Sequence, residues 1–281
     1  MIALGAFPVL SNLFEGETVR AERLERGVIR LALCRPRVRN AFNAAMVAEL
    51  SQALANLAAL PADRLRLLLL VGEGPAFCAG ADLAAMQAQG AAGPEQNLAQ
   101  ARELERLFRA LAGFPAPVLA YVQGVALGGG LGLCACADFV LAEPDAAFAT
   151  PEVRLGLAPA VIGPYLARRL GLARAAPLML GGLRLEAREA LALGLVQRLV
   201  APEEGAEAAL TRLLREFLAG APNAARATKA LLLRIAPLPD QALAEASAAT
   251  LADLRAAAEA QRGLHAFFQK TSPPWDLEGN G

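Results

Sequence analysis

Alternating apolar and polar positions over residues 18–24 and 28–33, separated by the turn-capable Arg26-Gly27, predict an opening β-hairpin. Asn43 then stands at the N-cap position of a helix whose Met46, Val47, Leu50, Leu54 and Leu57 fall on one face, and Pro61 closes it. The run LRLLLLV within residues 64–71 is almost continuously apolar over strand length, which fits a strand buried in a sheet; it breaks at Gly72-Glu73-Gly74-Pro75. Residues 95–111 return to helical spacing, with Leu98, Leu104, Leu107, Phe108 and Leu111 as the buried stripe. Strand-like runs follow at 117–123 and 138–142. A helix is expected from near Pro159, two more helical patterns reach Ala192, and 195–200 reads as a last strand. Past Ala201 no strand-like run remains: Ala-, Leu- and Arg-rich helices extend to about Lys270, and TSPPWDLEGNG is turn and coil. This divides the chain into a mixed α/β core over residues 1–200 and a helical region over 201–281.

Two glycine-bearing turns interrupt the pattern. Gly128, Gly129 and Gly130 precede a run, residues 131–137, that can begin a helix, and AFCAGADL at residues 76–83 places Gly80 before a helix start with Asp82 in its first turn. Such turns leave backbone N–H groups free for an anion or a developing oxyanion; close packing of two elements is the competing use of glycine. Residues 118–137 form an uncharged run of twenty, long enough to span a membrane, but five glycines and the strand-like PVLAYV favour a buried strand, turn and helix. Residues 90–94 are small and turn-prone and are expected to be the mobile loop of the chain.

Composition narrows the function classes. The 281 residues carry 27 basic and 27 acidic side chains, a balance that gives no whole-chain footprint for nucleic acid or an anionic membrane, although a local patch stays open. With 56% hydrophobic and 19% charged residues the chain is expected to bury a large core. Cys34, Cys78, Cys134 and Cys136 form no disulfide framework and no metal-ligand spacing, so they read as small buried hydrophobes in a reducing, cytoplasmic compartment. The apolar start MIALGAFPVL lacks a basic leader and is not taken as a signal peptide.

FCAGADL at residues 77–83, GVALGGGLGL at 124–133, the following ACAD, and FATPEVRLGLAP at 148–159 resemble, in order and spacing, the motifs of the enoyl-CoA hydratase/isomerase (crotonase) superfamily. RPRVRNAFN at 35–43 resembles that family's first CoA loop, and GLHAFFQKTSPPW at 263–275 its closing segment. The resemblance implies an α/β crotonase-like spiral of ββα units with a helical C-terminal region that makes trimer contacts, often doubled to hexamers. It implies an acyl-CoA thioester substrate and no cofactor beyond the coenzyme A carried on it. The family's two oxyanion N–H donors map onto Ala81 and Gly129, and its second catalytic glutamate onto Glu152, whose apolar surroundings suit a raised pKa. CoA itself maps along Ala41, Ala79, Asp82, Leu83 and Ala84, with Arg37, Arg39 and Lys270 as candidates for its phosphates. A nucleic-acid-binding role, also found among relatives, is opposed by the charge balance.

One departure bears on the reaction. The family's first glutamate maps onto Gly132, so a single carboxylate remains. The resemblance of EVRLGLAPAVIGPY to hydratases of branched or carboxylated substrates implies addition of water to a 2-enoyl-CoA. A single base equally implies a double-bond isomerase, and loss of catalysis with retained acyl-CoA binding is a third reading. Residues 160–165 are bulkier than the family's glycine-rich segment, which should reshape the acyl pocket, and Tyr165 lies near enough in sequence to offer a hydroxyl. His265, the lone histidine, is expected in a core or interface rather than in catalysis.

Overall fold

The computed structural model describes residues 4–90 and 93–276. In chain order the elements are β1 (Val9–Glu15), β2 (Val19–Leu24), β3 (Val28–Leu33), α1 (Ala44–Ala58), β4 (Leu67–Gly72), α2 (Leu83–Gly90), α3 (Pro94–Ala112), β5 (Val118–Val122), β6 (Val125–Leu127), α4 (Gly129–Cys136), β7 (Phe139–Ala142) and β8 (Ala147–Ala149). A 3-10 turn (Pro151–Leu155) leads to α5 (Gly163–Leu170), α6 (Leu172–Gly181), β9 (Arg184–Glu186), α7 (Ala187–Leu193) and β10 (Arg198–Leu199). The helices α8 (Ala206–Leu218), α9 (Pro222–Ile235), α10 (Gln241–Ala256) and α11 (Ala258–Gln269) complete the chain.

The expected hairpin forms β2 and β3, paired antiparallel from Val19↔Leu33 to Arg23↔Ile29. From β3 the sheet continues in parallel through β4, β5, β7 and β10. Every residue of β4 is buried, because both faces are covered: Leu68 and Leu70 pack with Met46 and Leu50 of α1 and with Phe108 of α3, while Leu67, Leu69 and Val71 pack with Leu210, Leu213 and Leu214 of α8. The helical region beyond residue 200 thus shares the core of the sheet, through α8 on one face and Leu251 of α10 on the other.

A second, smaller sheet, β6-β8-β9, explains the spiral. After β5 and after β7 the chain leaves the large sheet, adds a short strand to the small one (β6, then β8) and turns into a helical segment, so each ββα unit steps both sheets forward by one strand. Cys78, after β4, makes the equivalent step by bridging Ala126. The run at 118–137 is accordingly strand, short strand and helix, and no helix among the described residues is long and apolar enough to cross a membrane.

Six elements differ from expectation. β1 borders the sheet with Val9 and Leu10 exposed, so no buried alternation marks it in the sequence. The three-residue strands β6, β8 and β9 are too short for alternation to reveal. The helix expected from near Pro159 begins at Gly163, and α4 begins at Gly129, two residues earlier than expected. Of the small loop at 90–94, Gly90 ends α2 and Pro94 starts α3; the intervening Ala91 and Ala92 lie outside the described residues, as does the tail from 277.

Candidate active site

The loop before α2 is fixed by a buried asparagine. Asn40, with φ +57°, turns its amide inward: Nδ2 donates to the carbonyls of Glu73 (2.9 Å), Ala76 (2.9 Å) and Phe77 (3.1 Å), and Oδ1 accepts the Arg35 N–H at 2.8 Å. Asparagine tolerates the left-handed backbone and carries both donor and acceptor, which is what this position requires. Phe42 then bridges Ala81 in parallel: Phe42 N–H donates to the Gly80 carbonyl at 2.7 Å, and Asp82 N–H donates to the Phe42 carbonyl at 2.8 Å. Backbone direction alternates along such a pairing, so Ala81, between the two bonded residues, points its N–H away from Phe42. That N–H meets no backbone acceptor among the described residues.

It faces the glycine turn. Gly80 (φ +90°) and Gly128 (φ +48°, ψ −117°) approach so closely that a Cβ on Gly80 would lie 2.8 Å from the Leu127 carbonyl oxygen. Gly128 leaves β6, its N–H donating to Ala149 of β8 at 2.9 Å, and Gly129 follows as the first residue of α4. The Gly129 N–H likewise has no backbone acceptor among the described residues, as first-turn amides do, and the aligned peptide dipoles of α4 add positive potential there.

Glu152 stands beside this glycine turn, in the 3-10 turn after β8. Thr150, fully buried, anchors the entry by donating its hydroxyl to the Leu178 carbonyl of α6 at 2.7 Å, and Gly156 (φ +73°) ends the turn beneath the backbone of Glu259 and Ala260 in α11. A Cβ on Gly128 would come within 2.8 Å of Glu152 Oε1, and Oε2 is buried without a hydrogen-bond partner. Burial outweighs the backbone N–H that Glu152 itself offers and pushes the carboxyl pKa up to about 7. Ala81, Gly129 and Glu152 border one cavity of about 480 Å³, walled by Leu157, Val161, Ile162 and Leu251. Glu152 is the single carboxylate in its lining and Arg154 the single cation. Two unused amide donors, one protonatable carboxyl near neutrality and apolar walls can stabilise an anionic oxygen and move a proton beside it.

Gly132 lies outside this cavity. A Cβ there would meet Ile162 Cγ2 at 2.5 Å and the Phe108 ring at 2.9 Å, so the space a side chain would need is already filled. Tyr165 does not reach the cavity either: it is buried in the core with its hydroxyl on Glu105 Oε1 at 3.1 Å.

Of the residues mapped to CoA, Ala79 and Leu83 border the cavity, Ala84 is exposed beside it, and Asp82 caps α2 (Ala85 N–H to Oδ1, 3.3 Å) while pairing with Arg35 at 3.1 Å. Ala41 is buried with its carbonyl accepting from Arg35. Arg37, Arg39 and Lys270 are exposed and none lines the cavity. His265 is exposed rather than in the core. Cys78, Cys134 and Cys136 are buried and Cys34 is half-buried, all four as free thiols, and no group of three or more metal-binding side chains exists among the described residues. Ile162 lines the cavity, as expected of the bulky segment 160–165, whereas Asn40, Phe108 and Leu251 shape the site without having been singled out as site residues from the sequence. Asn40 carried the one local signal, a polar residue after Arg39 in a turn.

Comparison with known proteins places this geometry. A family model described as enoyl-CoA hydratase/isomerase matches residues 23–278. The chain is 35% identical over 257 residues to cyclohexa-1,5-dienecarbonyl-CoA hydratase of Thauera aromatica, covering 90% of this chain and 95% of that protein. Among solved structures, Pseudomonas aeruginosa AtuE is 39% identical with a TM-score of 0.75, covering 92% of this chain and 99% of that one. An enoyl-CoA hydratase from Shewanella pealeana is 36% identical with a TM-score of 0.71, covering 95% and 96%. The chain belongs to the enoyl-CoA hydratase/isomerase family and has its crotonase fold.

Proposed function

We propose that the protein adds water across the double bond of a 2-enoyl-CoA, with Glu152 as the single acid–base group and the Ala81 and Gly129 N–H groups as the oxyanion hole. The observation that carries this reading is the buried Glu152 carboxyl, with Oε2 unpartnered and its pKa raised to about 7, bordering the same cavity as two amides without backbone acceptors among the described residues. The ionised carboxylate takes a proton from water as the water oxygen bonds to C3. The C2=C3 electron pair moves onto the thioester oxygen, which the two N–H groups stabilise. Glu152, now protonated, returns that proton to C2. Loss of one such donor typically removes about 2.7–4 kcal/mol of transition-state stabilisation. The acyl chain lies in the apolar cavity, with the CoA moiety along Ala79, Asp82, Leu83 and Ala84 and its phosphates near Arg37, Arg39 and Lys270. Assembly as a homotrimer or hexamer is supported by the exposure of Leu172 (77%) and Leu180 (79%) on α6.

A second reading, migration of a double bond from C3 to C2 by proton transfer between C2 and C4, is favoured by the lone carboxylate in the cavity lining. Incubation with 2-enoyl-CoA and 3-enoyl-CoA separates the two. Hydration of the 2-enoyl ester, lost in Glu152→Gln, is the expected result; reaction of the 3-enoyl ester alone selects the isomerase, and unchanged turnover by Glu152→Gln removes both.

A further inference from the structure

A second, smaller cavity of about 60 Å³ adjoins the large one, and Ala81 and Met86 line both. Its inner wall holds Arg255 of α10, only 4% exposed. A guanidinium removed from water ordinarily has carboxylates or carbonyls around it. Arg30 in this protein, 6% exposed, pairs with Glu22 at 2.6 Å, and the half-buried Arg169 donates to the carbonyls of Ala137 and Leu195. Arg255 has neither. One donor, NH1, reaches Asn97 Oδ1 at 3.3 Å, Nε is buried with no partner, and no carboxylate stands within ion-pair distance among the described residues. Burial alone lowers its pKa. The two carboxylates that border the cavity are otherwise placed: Asp82 is held by Arg35, and Glu103 is exposed. Gln100, also in the lining, has a buried Oε1 without a partner; turning its amide presents Nε2 to the same space.

The position relative to the reacting groups is set by α10. Leu251, one helical turn before Arg255, lines the large cavity, so this face of α10 leads from the acyl chamber to the guanidinium in about 6 Å. Met86 stands between the two spaces, an unbranched side chain that can swing to join them. The small cavity holds about two waters' share of liquid volume, ~30 Å³ each, which suits a carboxylate head.

We infer that the small cavity is an anion subsite of the acyl chamber, in which Arg255 and Gln100 take the terminal carboxylate of a dicarboxylic acyl group. The preferred thioesters then end in a carboxylate rather than a methyl group. The inference rests on the acyl-CoA reading above and adds the substrate class.

The test is equilibrium binding of two saturated thioesters of equal carbon count that undergo no turnover, glutaryl-CoA and pentanoyl-CoA, to native protein, Arg255→Gln and Arg255→Lys. Native protein is expected to bind glutaryl-CoA more than about tenfold tighter. Arg255→Gln is expected to abolish that preference while leaving pentanoyl-CoA within about twofold, and Arg255→Lys to keep part of it. Equal native affinity for the two esters, or equal weakening of both in a folded Arg255→Gln, overturns the subsite and leaves the acyl-CoA reading standing. Binding of neither ester overturns both. Should Arg255→Gln fail to fold, the native comparison and Arg255→Lys still decide.

Discussion

Gly128 and Glu152 are stacked so tightly that the glycine's missing side chain is the space the carboxylate occupies: a Cβ on Gly128 would lie 2.8 Å from Glu152 Oε1. With φ +48° and ψ −117°, Gly128 also holds a backbone conformation that other residues adopt only with strain. Gly128→Ala is therefore expected to cost about 1–3 kcal/mol of stability and more than about tenfold in kcat, since the carboxylate must shift. Paired denaturant titration and steady-state kinetics check both; a variant of native activity contradicts the stacking.

Glu152 should impose opposite pH trends on stability and on hydration. Its folded pKa of about 7 lies above the ordinary glutamate value of 4.5, so between those values the folded state binds more protons than the unfolded chain. Stability thus falls as pH rises through this window, by on the order of 3 kcal/mol in total, and the penalty persists above pH 7. Hydration needs the ionised form, so kcat/KM falls as pH drops through about 7. Glu152→Gln is expected to raise the melting temperature at pH 8 and little at pH 4, while turnover disappears. A melting curve whose pH dependence matches that of native protein counts against the raised pKa.

Restoring a carboxylate at position 132 is expected to fail. Ile162 and Phe108 occupy the place of even a Cβ, so Gly132→Ala should cost about 1–3 kcal/mol and Gly132→Glu should gain no hydration. Calorimetry with a crotonyl-CoA assay checks this; a folded Gly132→Glu with raised hydration would show that the loop around Ile162 yields readily. The identity of residue 162 is thus tied to the absence of a carboxylate at 132.

Asn40→Ala removes three donations to loop carbonyls and puts a residue without a polar side chain at φ +57°. The expected loss is about 2–4 kcal/mol, together with a reduced kcat, because the same loop sets the direction of the Ala81 N–H. Asn40→Asp should be worse, since a carboxylate oxygen would face three carbonyls. Equal stability of both variants and native protein would place the loop's rigidity elsewhere.

Much of this was legible in the sequence wherever a local rule decides the outcome. Asn43 caps α1 as expected, its Oδ1 accepting from Met46 N–H at 2.9 Å, and the leucine run became a strand buried on both faces. Glu152, Ala81 and Gly129 were singled out through the resemblance of their motifs to a known family, and the structure brings the three to the border of one cavity. How the remaining side chains around the cavity come together was not legible there. Phe108 of α3, Ile162 at the start of α5, and Leu251 and Arg255 of α10 are far apart in sequence, and their shared neighbourhood is created by how α3, α5 and α10 pack, to which periodicity is blind. Tyr165 is the converse: near Glu152 in sequence, it faces away because α5 turns its apolar side toward Phe108 and Glu105.

The turn that carries Glu152 rests under α11, where the Gly156 and Gly263 backbones allow contact with Glu259 and with the Leu155 carbonyl. The amides that would receive the substrate oxygen are built early in the chain, yet the wall that fixes the Glu152 carboxyl comes from its last helix. A chain without α11 is therefore expected to leave the turn that carries Glu152 unsupported on that side, so the position of the carboxyl depends on a helix more than a hundred residues further along the chain.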